Sequence, residues 1–249
     1  DSTAETGSVL DHVLVQDSKM YGIAQFGGCV TVTDSLVRGV YFPDGDGSMT
    51  IRALGISVTA RDGQAPQTEI IGSTIEDCEG PGILIDKASS GEWTGPNSLL
   101  SDVEVRASSL SGIWIQGESR ADVINCSFEE VELVGLAYTG NSEGLAYGNQ
   151  FVSVRTGYKP DFDLNKNIEM ADAIYLSRLS NPNTIAIQEN TILEVERNGV
   201  IIDDSNAGAF FYASNGAAPA VSAFSGNIVA DGAVTNGDEF AFQGNCKGF

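Results

Sequence analysis

The strongest constraint on this chain is a pattern that occurs twice within residues 99–137, LLSDVEVRASSLSGIWIQGESRADVINCSFEEVELVGLA, the second copy 23 residues after the first. Val105 stands eight residues before Ile113, and Phe128 eight before Leu136. The unit is a polar–apolar alternation, a short polar break, and then Gly-apolar-x-apolar. The same offset links Val15 to Ile23, Ile75 to Ile83 and Ile192 to Val200. With the first apolar residue as marker, the series is Val15, Val37, Ile75, Val105, Phe128, Phe151, Ile192 and Val229, in steps of 22, 38, 30, 23, 23, 41 and 37. Self-similarity with a period of about 20 to 50 residues marks a repeat architecture. In such an array each unit contacts its neighbours only, so 249 residues form one domain, 1–249, without reaching the size limit of a single core.

Short alternating β-branched runs are separated by tight turns, in keeping with 29 glycines and 7 prolines, and no long amphipathic helical pattern is present. Strands recurring about every 23 residues are too close together for helical crossovers and can stack in parallel only by coiling. At this point the residues show a resemblance. IGSTIEDCEGPGILI, SDVEVRASSLSGIWI and ENTILEVERNGVIID look like the repeats of secreted bacterial right-handed parallel β-helix proteins, the pectate-lyase-like superfold, over about residues 9–235. The expected fold is therefore all-β, a single-stranded parallel β-helix of eight or nine coils. Because open coil ends need caps or partners and neither terminus shows a capping helix, the chain reads as a fragment of a longer protein or as one capped by loops such as 236–249.

Two departures from the period are visible. Residues 31–75 are longer than a coil needs: either an extra coil lies around Ile56 and Val58, or loops occupy 43–48 and 61–67. After Phe151 the second half of the coil is delayed by a polar insertion, 155–170, which reads as a loop before Ala173-Ile174-Tyr175-Leu176 resumes the pattern. Long insertions in solenoids collect on one face, often the binding face.

Two columns follow from the register. Two residues before each marker lie Val13, Ser35, Ser73, Val103, Cys126, Asn149, Asn190 and Asn227, on the same inward parity as the marker. Three successive inward asparagines are tolerable only if they hydrogen-bond one another and turn backbone, so Asn149, Asn190 and Asn227 should form a ladder. Asparagine ladders of this kind are what the β-helix resemblance implies. The outward residue of each Gly-apolar-x-apolar element gives Leu84, Trp114, Ala137, Tyr175 and Ile201, continued two residues on by Asp86, Gln116, Thr139, Ser177 and Asp203. Trp114 and Tyr175 are two coils apart, about 10 Å at about 4.8 Å per strand. That suits two sugars of a polysaccharide lying along the axis. The other reading is an apolar face covered by a loop or a partner.

Thirteen basic against 34 acidic residues leave a net charge of −21, which disfavours nucleic acid and anionic membrane surfaces. No apolar run approaches the roughly 18 residues of a membrane span. Cys29, Cys78, Cys126 and Cys246 form no C-x-x-C pair, leaving three disulfide connectivities open, and Cys126 lies on the inward column as a candidate buried thiol. His12, the single histidine, falls on outward parity and reads as a surface residue.

Candidate binding residues are thus Trp114, Tyr175, Asp86, Gln116 and Asp203, with Trp93 in the 89–97 loop. Catalytic candidates are Asp203, Asp204, Asp161 and Asp163. Asp86 and Asp203 are four coils apart, about 19 Å, too far for the carboxyl pair of a glycosidase. Asp203-Asp204 resembles the double aspartate of polygalacturonase-like hydrolases, but the Asn-Thr-Asp, Gly-His-Gly and Arg-Ile-Lys elements accompanying it there are absent. A lyase would need clustered aspartates for Ca²⁺ and an Arg or Lys base, for which Asp161 and Asp163 with Lys159, or Arg178, are the candidates. Asp44 and Asp46 resemble the start of a calcium loop without its distal Glu, so Ca²⁺ is the one cofactor the sequence suggests. The leading expectation is a secreted or cell-surface scaffold binding polysaccharide. The alternatives are a polysaccharide lyase or hydrolase of the same superfold, and a fibre or tailspike-like assembly segment.

Overall fold

A computed structural model describes residues 7–42, 53–60, 66–87, 96–160, 167–177, 185–203, 224–230 and 232–243, with side chains left aside at 157–169, 203 and 240–243. The described residues wind into eight coils, each laying one strand on each of three sheets, and none of them is helical. Sheet 1 stacks Ser8–Asp11, Cys29–Thr33, Gln67–Ile71, Asn97–Ser101, Arg120–Ile124, Gly144–Tyr147, Ile185–Gln188 and Phe224–Ser225. Sheet 2 stacks Leu14–Lys19, Leu36–Tyr41, Thr74–Cys78, Glu104–Ser108, Ser127–Glu129, Gln150–Phe151, Thr191–Ile192 and Ile228–Val229. Sheet 3 stacks Tyr21–Gln25, Leu54–Ala60, Ile83–Lys87, Ser111–Gln116, Val131–Thr139, Asn167–Ser177, Asn198–Asp203 and Phe240–Gln243. All pairing within these stacks is parallel, so the chain is the parallel β-helix its period implies.

The eight markers occupy one column of sheet 2. Val15 pairs with Val37, then Ile75, Val105, Phe128, Phe151, Ile192 and Val229 follow in register. Phe128 and Phe151 stack face to face with centroids 4.7 Å apart, buried with the Val and Ile side chains of all three sheets in one continuous core. The glycine of the repeat belongs to this packing. A Cβ on Gly112 would stand 2.4 Å from Cδ1 of Phe128, and one on Gly135 2.6 Å from Cδ1 of Phe151. Glycine is needed there for close approach of sheet 3 to the marker ring.

Sheets 1 and 2 are joined in every coil by two residues. The first is left-handed throughout: His12, Asp34, Gly72, Asp102, Asn125, Gly148, Glu189 and Gly226 all have positive φ. Asp and Asn tolerate this region and Gly enters it freely, which accounts for most of the column. The second residue forms the inward column, serine or asparagine in five coils and Val13, Val103 and Cys126 in the others. Asn190 Oδ1 accepts from the backbone N–H of Asn149 at 3.0 Å and from its Nδ2 at 2.9 Å, and Asn227 Oδ1 does the same for Asn190 at 3.1 and 2.8 Å. The amides also donate to the carbonyls of Val123, Ala146 and Ile187. The expected ladder is therefore present, and Asn149 Oδ1 extends it to Cys126 N at 2.8 Å. Earlier coils use serine: Ser35 Oγ accepts from Val13 N, and Ser73 Oγ from Ser35 N.

At residues 31–75 the described strands give no extra coil, and the other expectation, loops at 43–48 and 61–67, lies almost wholly outside the described residues. Leu54–Ala60 is the sheet 3 strand of the second coil, so Ile56 and Val58 add no coil, and the extra length flanks that strand. The 155–170 insertion, expected as a loop, instead contains a strand pair: Gly157–Pro160 runs antiparallel to Asn167–Met170, which lengthens the sixth strand of sheet 3. Alternation could not show this, because the two strands pair with each other and follow no coil period. Cys78 and Cys126 are free thiols, and Cys246 lies outside the described residues. Burial pushes the Cys78 and Cys126 thiols up to about 12, so both are protonated core residues. No described helix is long and apolar enough to cross a membrane.

Candidate functional site

The outer face of sheet 3 is where the chain departs from regularity. Segments 43–52, 61–65, 88–95, 155–166, 178–184 and 204–223 all enter or leave a sheet 3 strand, whereas the join between sheets 1 and 2 never varies. The outward columns fall in the expected register. Ser57, Leu84, Trp114, Ala137, Tyr175, Ile201 and Ala241 are Cα partners in succession, as are Thr59, Asp86, Gln116, Thr139, Ser177, Asp203 and Gln243.

The strip differs from a bare convex surface. Trp114 and Tyr175 are half-buried and pack against a second, smaller apolar cluster of Leu110, Leu133, Val134, Ala137 and Met170. Leu84, Ala137 and Ile201 are buried although they point away from the coil interior. The period says which side chains leave the coil; it does not say what packs over the outer face. Within the cluster the indole is held: Trp114 Nε1 donates to Thr139 Oγ1 at 2.9 Å. Ala137, directly opposite Trp114, is small enough for the ring to lean across it towards Thr139 and the coil that carries Tyr175.

Beside this aromatic row the polar column offers hydroxyls, an amide and a carboxyl. Burial raises the carboxyl of Asp86 above the usual aspartate range, and a hydrogen bond with the Gln116 side chain opposes the rise. Asp203 pairs through its backbone with Ser177 and Gln243, four strands from Asp86, so the two share a column without forming a carboxyl pair. Trp93, Asp44, Asp46, Asp161, Asp163, Asp204 and Arg178 lie outside the described residues, as do the side chains of Lys159 and Asp203.

One charged cluster was not anticipated. Asp172, fully buried where sheet 2 turns into sheet 3, accepts from Arg197 Nε at 2.9 Å, from Arg197 Nη2, and from Asn198 Nδ2 at 2.8 Å. Burial raises its pKa against the pull of Arg197 and Asn198. The signal was readable: Asp172 stands two residues before Ile174 and Asn198 two before Val200, so the register brings Arg197 and Asn198 onto the carboxylate. Elsewhere, Asp11, His12 and Asp34 form a group of metal-competent side chains among the described residues, all exposed on the first two coils. Asp11 is held below the usual range by the Thr33 hydroxyl and by His12. His12 is a surface residue, as its parity implied.

Eight coils, three parallel sheets and an inward amide ladder are accompanied by a family match: residues 54–246 fit the model described as the right handed beta helix region. The chain belongs to this β-helix family. A search of curated sequences finds no match. Among solved structures, two of PfbA, a surface adhesin of Streptococcus pneumoniae, are similar at 12% identity. One covers 94% of this chain and 67% of that chain with a TM-score of 0.43, the other 93% and 59% with 0.48. A variant of the periplasmic alginate epimerase AlgG matches at 10% identity over 73% of this chain and 44% of its own, with a TM-score of 0.45. At such identities the likeness is one of fold.

Proposed function

We propose that this chain is a non-enzymatic β-helix scaffold that works outside the cytoplasm and binds polysaccharide along the outer face of sheet 3. The observation that carries the reading is the fixed aromatic row. Trp114 and Tyr175 are aligned along the helix axis about 10 Å apart, on a shared apolar bed, with the indole tied by Thr139. The amide of Gln116 and the hydroxyl of Thr139 run parallel to it, an arrangement able to stack sugar rings and to hydrogen-bond their hydroxyls. The length of chain entering or leaving a sheet 3 strand varies from coil to coil while the join between sheets 1 and 2 is constant, as expected where a rigid scaffold displays a binding face.

An enzyme would need a second carboxyl near Asp86, and the register sets Asp203 four strands away. Lyase or hydrolase activity would therefore have to draw on Asp161, Asp163 or the adjacent Asp203 and Asp204. The test is retention on a panel of polysaccharides, with new reducing ends and unsaturated products scored in parallel. Retention without product is expected, and Trp114→Ala should weaken it about tenfold, the equivalent of about 1.4 kcal/mol. Unchanged retention in Trp114→Ala and Tyr175→Ala would remove the strip from the binding site, and product formation would make the protein an enzyme.

A further inference from the structure

We infer that the glycan taken by the sheet 3 strip is a neutral polymer of hexose or pentose units and not a polyuronate, an inference that rests on the polysaccharide reading above. Among the described residues of the two outward columns there is no cationic side chain to meet a uronate carboxylate: Ser57 and Ser177 are buried, and the groups offered are Thr59, Gln116 and Thr139 with the carboxyl of Asp86. Hydroxyls and a carboxamide match the donor and acceptor pairs of neutral sugars, and a carboxylate among them accepts from sugar hydroxyls while repelling another carboxylate.

Among the described residues, the cations bordering the sheet are engaged. Lys87, at the end of the strand that carries Asp86, keeps only 4% of its side chain exposed and is paired with Glu118. Arg155 pairs with Glu130 at 3.2 Å, and Arg197 is bound to the buried Asp172. Freeing any of them for an anionic ligand would strip a charge from its partner, and for Arg197 that partner is fully buried. The field of the whole chain acts in the same direction, since a net charge of −21 lowers the local concentration of any polyanion. The burial that lifts the Asp86 carboxyl marks a poorly solvated spot, where repulsion of a second carboxylate is least screened.

Affinity electrophoresis of the full chain at pH 7 in EDTA tests this, with galactomannan and laminarin as neutral polymers and polygalacturonate and alginate as polyuronates, each at low and at moderate salt. A neutral polymer is expected to retard the protein at least tenfold more strongly than either polyuronate. That retardation should be insensitive to salt and weakened about tenfold in Trp114→Ala, while residual uronate binding should strengthen as salt screens the repulsion. Equal or tighter uronate binding in EDTA, or uronate binding that appears with added Ca²⁺ and depends on Trp114, overturns the neutral assignment and leaves the polysaccharide reading standing. If no polymer retards the protein, the polysaccharide reading itself falls, and this inference falls with it.

Discussion

The join between sheets 1 and 2 and the margins of sheet 3 are built from the same coil, yet the first is two residues long in all eight coils and the second changes length at nearly every one. At the join, each left-handed residue of the first seven coils donates its N–H to the next coil, as Asp34 does to Ile71 O and Gly72 to Ser101 O, both at 3.0 Å. The following residue then enters the stack's inward column. Backbone and side chain are both committed, so no length variation is tolerated. At sheet 3 the inward residues are equally fixed, but the chain may leave and return without disturbing a column. Regularity thus marks the place where the fold is held, and irregularity the place where surface chemistry can vary.

The sharpest way to break this contrast is to insert one alanine in each region. Between Asn125 and Cys126 it would shift every later side chain in the coil by one position, turning inward residues out, and we expect loss of cooperative folding. The same insertion between Gly91 and Glu92, beside sheet 3, should leave Tm within about 2 °C of the parent. Thermal unfolding followed by far-ultraviolet circular dichroism measures both, and equal effects would show that the two regions do not differ in tolerance.

A second comparison lies within the join. Asn190→Ala leaves the backbone N–H of Asn149 and one N–H of its Nδ2 without their acceptor, removes the side-chain donor to Ala146 O, and leaves Asn227 Oδ1 with only the backbone N–H of residue 190. Buried groups left unsatisfied cost about 1–3 kcal/mol each when no water reaches them. We therefore expect a loss of about 3–5 kcal/mol in urea unfolding. Ser73→Ala removes one acceptor for Ser35 N and one donor to Ile71 O, and should cost about 1–2 kcal/mol. Equal losses at the two positions would mean that the amide ladder contributes no more than the serines that precede it.

The same contrast explains what could be read from the chain before any coordinates. Val105, Phe128 and Asn149 sit on columns whose spacing the fold enforces, so counting residues was enough to place them. Ile56 could not be placed by counting, because the delay before it lies at a margin where length is free. The strands of Gly157–Pro160 and Asn167–Met170 pair only with each other and leave no trace in the coil period. For Trp114 and Tyr175 the register was readable but the cover was not: alternation distinguishes coil interior from exterior, and Leu110, Leu133 and Met170 reach the same outer cluster from different coils. Asp172 and Arg197 were within reach of the same counting and were missed because a charge pair carries no periodic signal of its own.

The smallest expected effect separates the two raised carboxyls, Asp86 at the sheet 3 face and Asp172 at the corner. Burial lifts both above the ordinary aspartate value of 3.8. A carboxyl whose pKa is higher in the folded protein binds its proton more tightly there than in the unfolded chain, so its burial weakens the fold as pH rises from 3.8 through the folded value, and the cost is complete above it. Asp86→Asn removes that cost and keeps an acceptor for Gln116, and should raise Tm by about 2 °C or less at pH 7. The gain should shrink as pH falls towards 3.8, where the parent carboxyl is itself protonated. Asp172→Asn cannot gain in this way, because Arg197 and Asn198 are bound to the carboxylate and an amide cannot replace its two-oxygen grip on the guanidinium. Parallel melts of the two variants from pH 4 to pH 7 should therefore diverge in sign at neutral pH, and a loss of stability in Asp86→Asn would show that Asp86 is held by a cation or hydrogen bonds stronger than the one from Gln116.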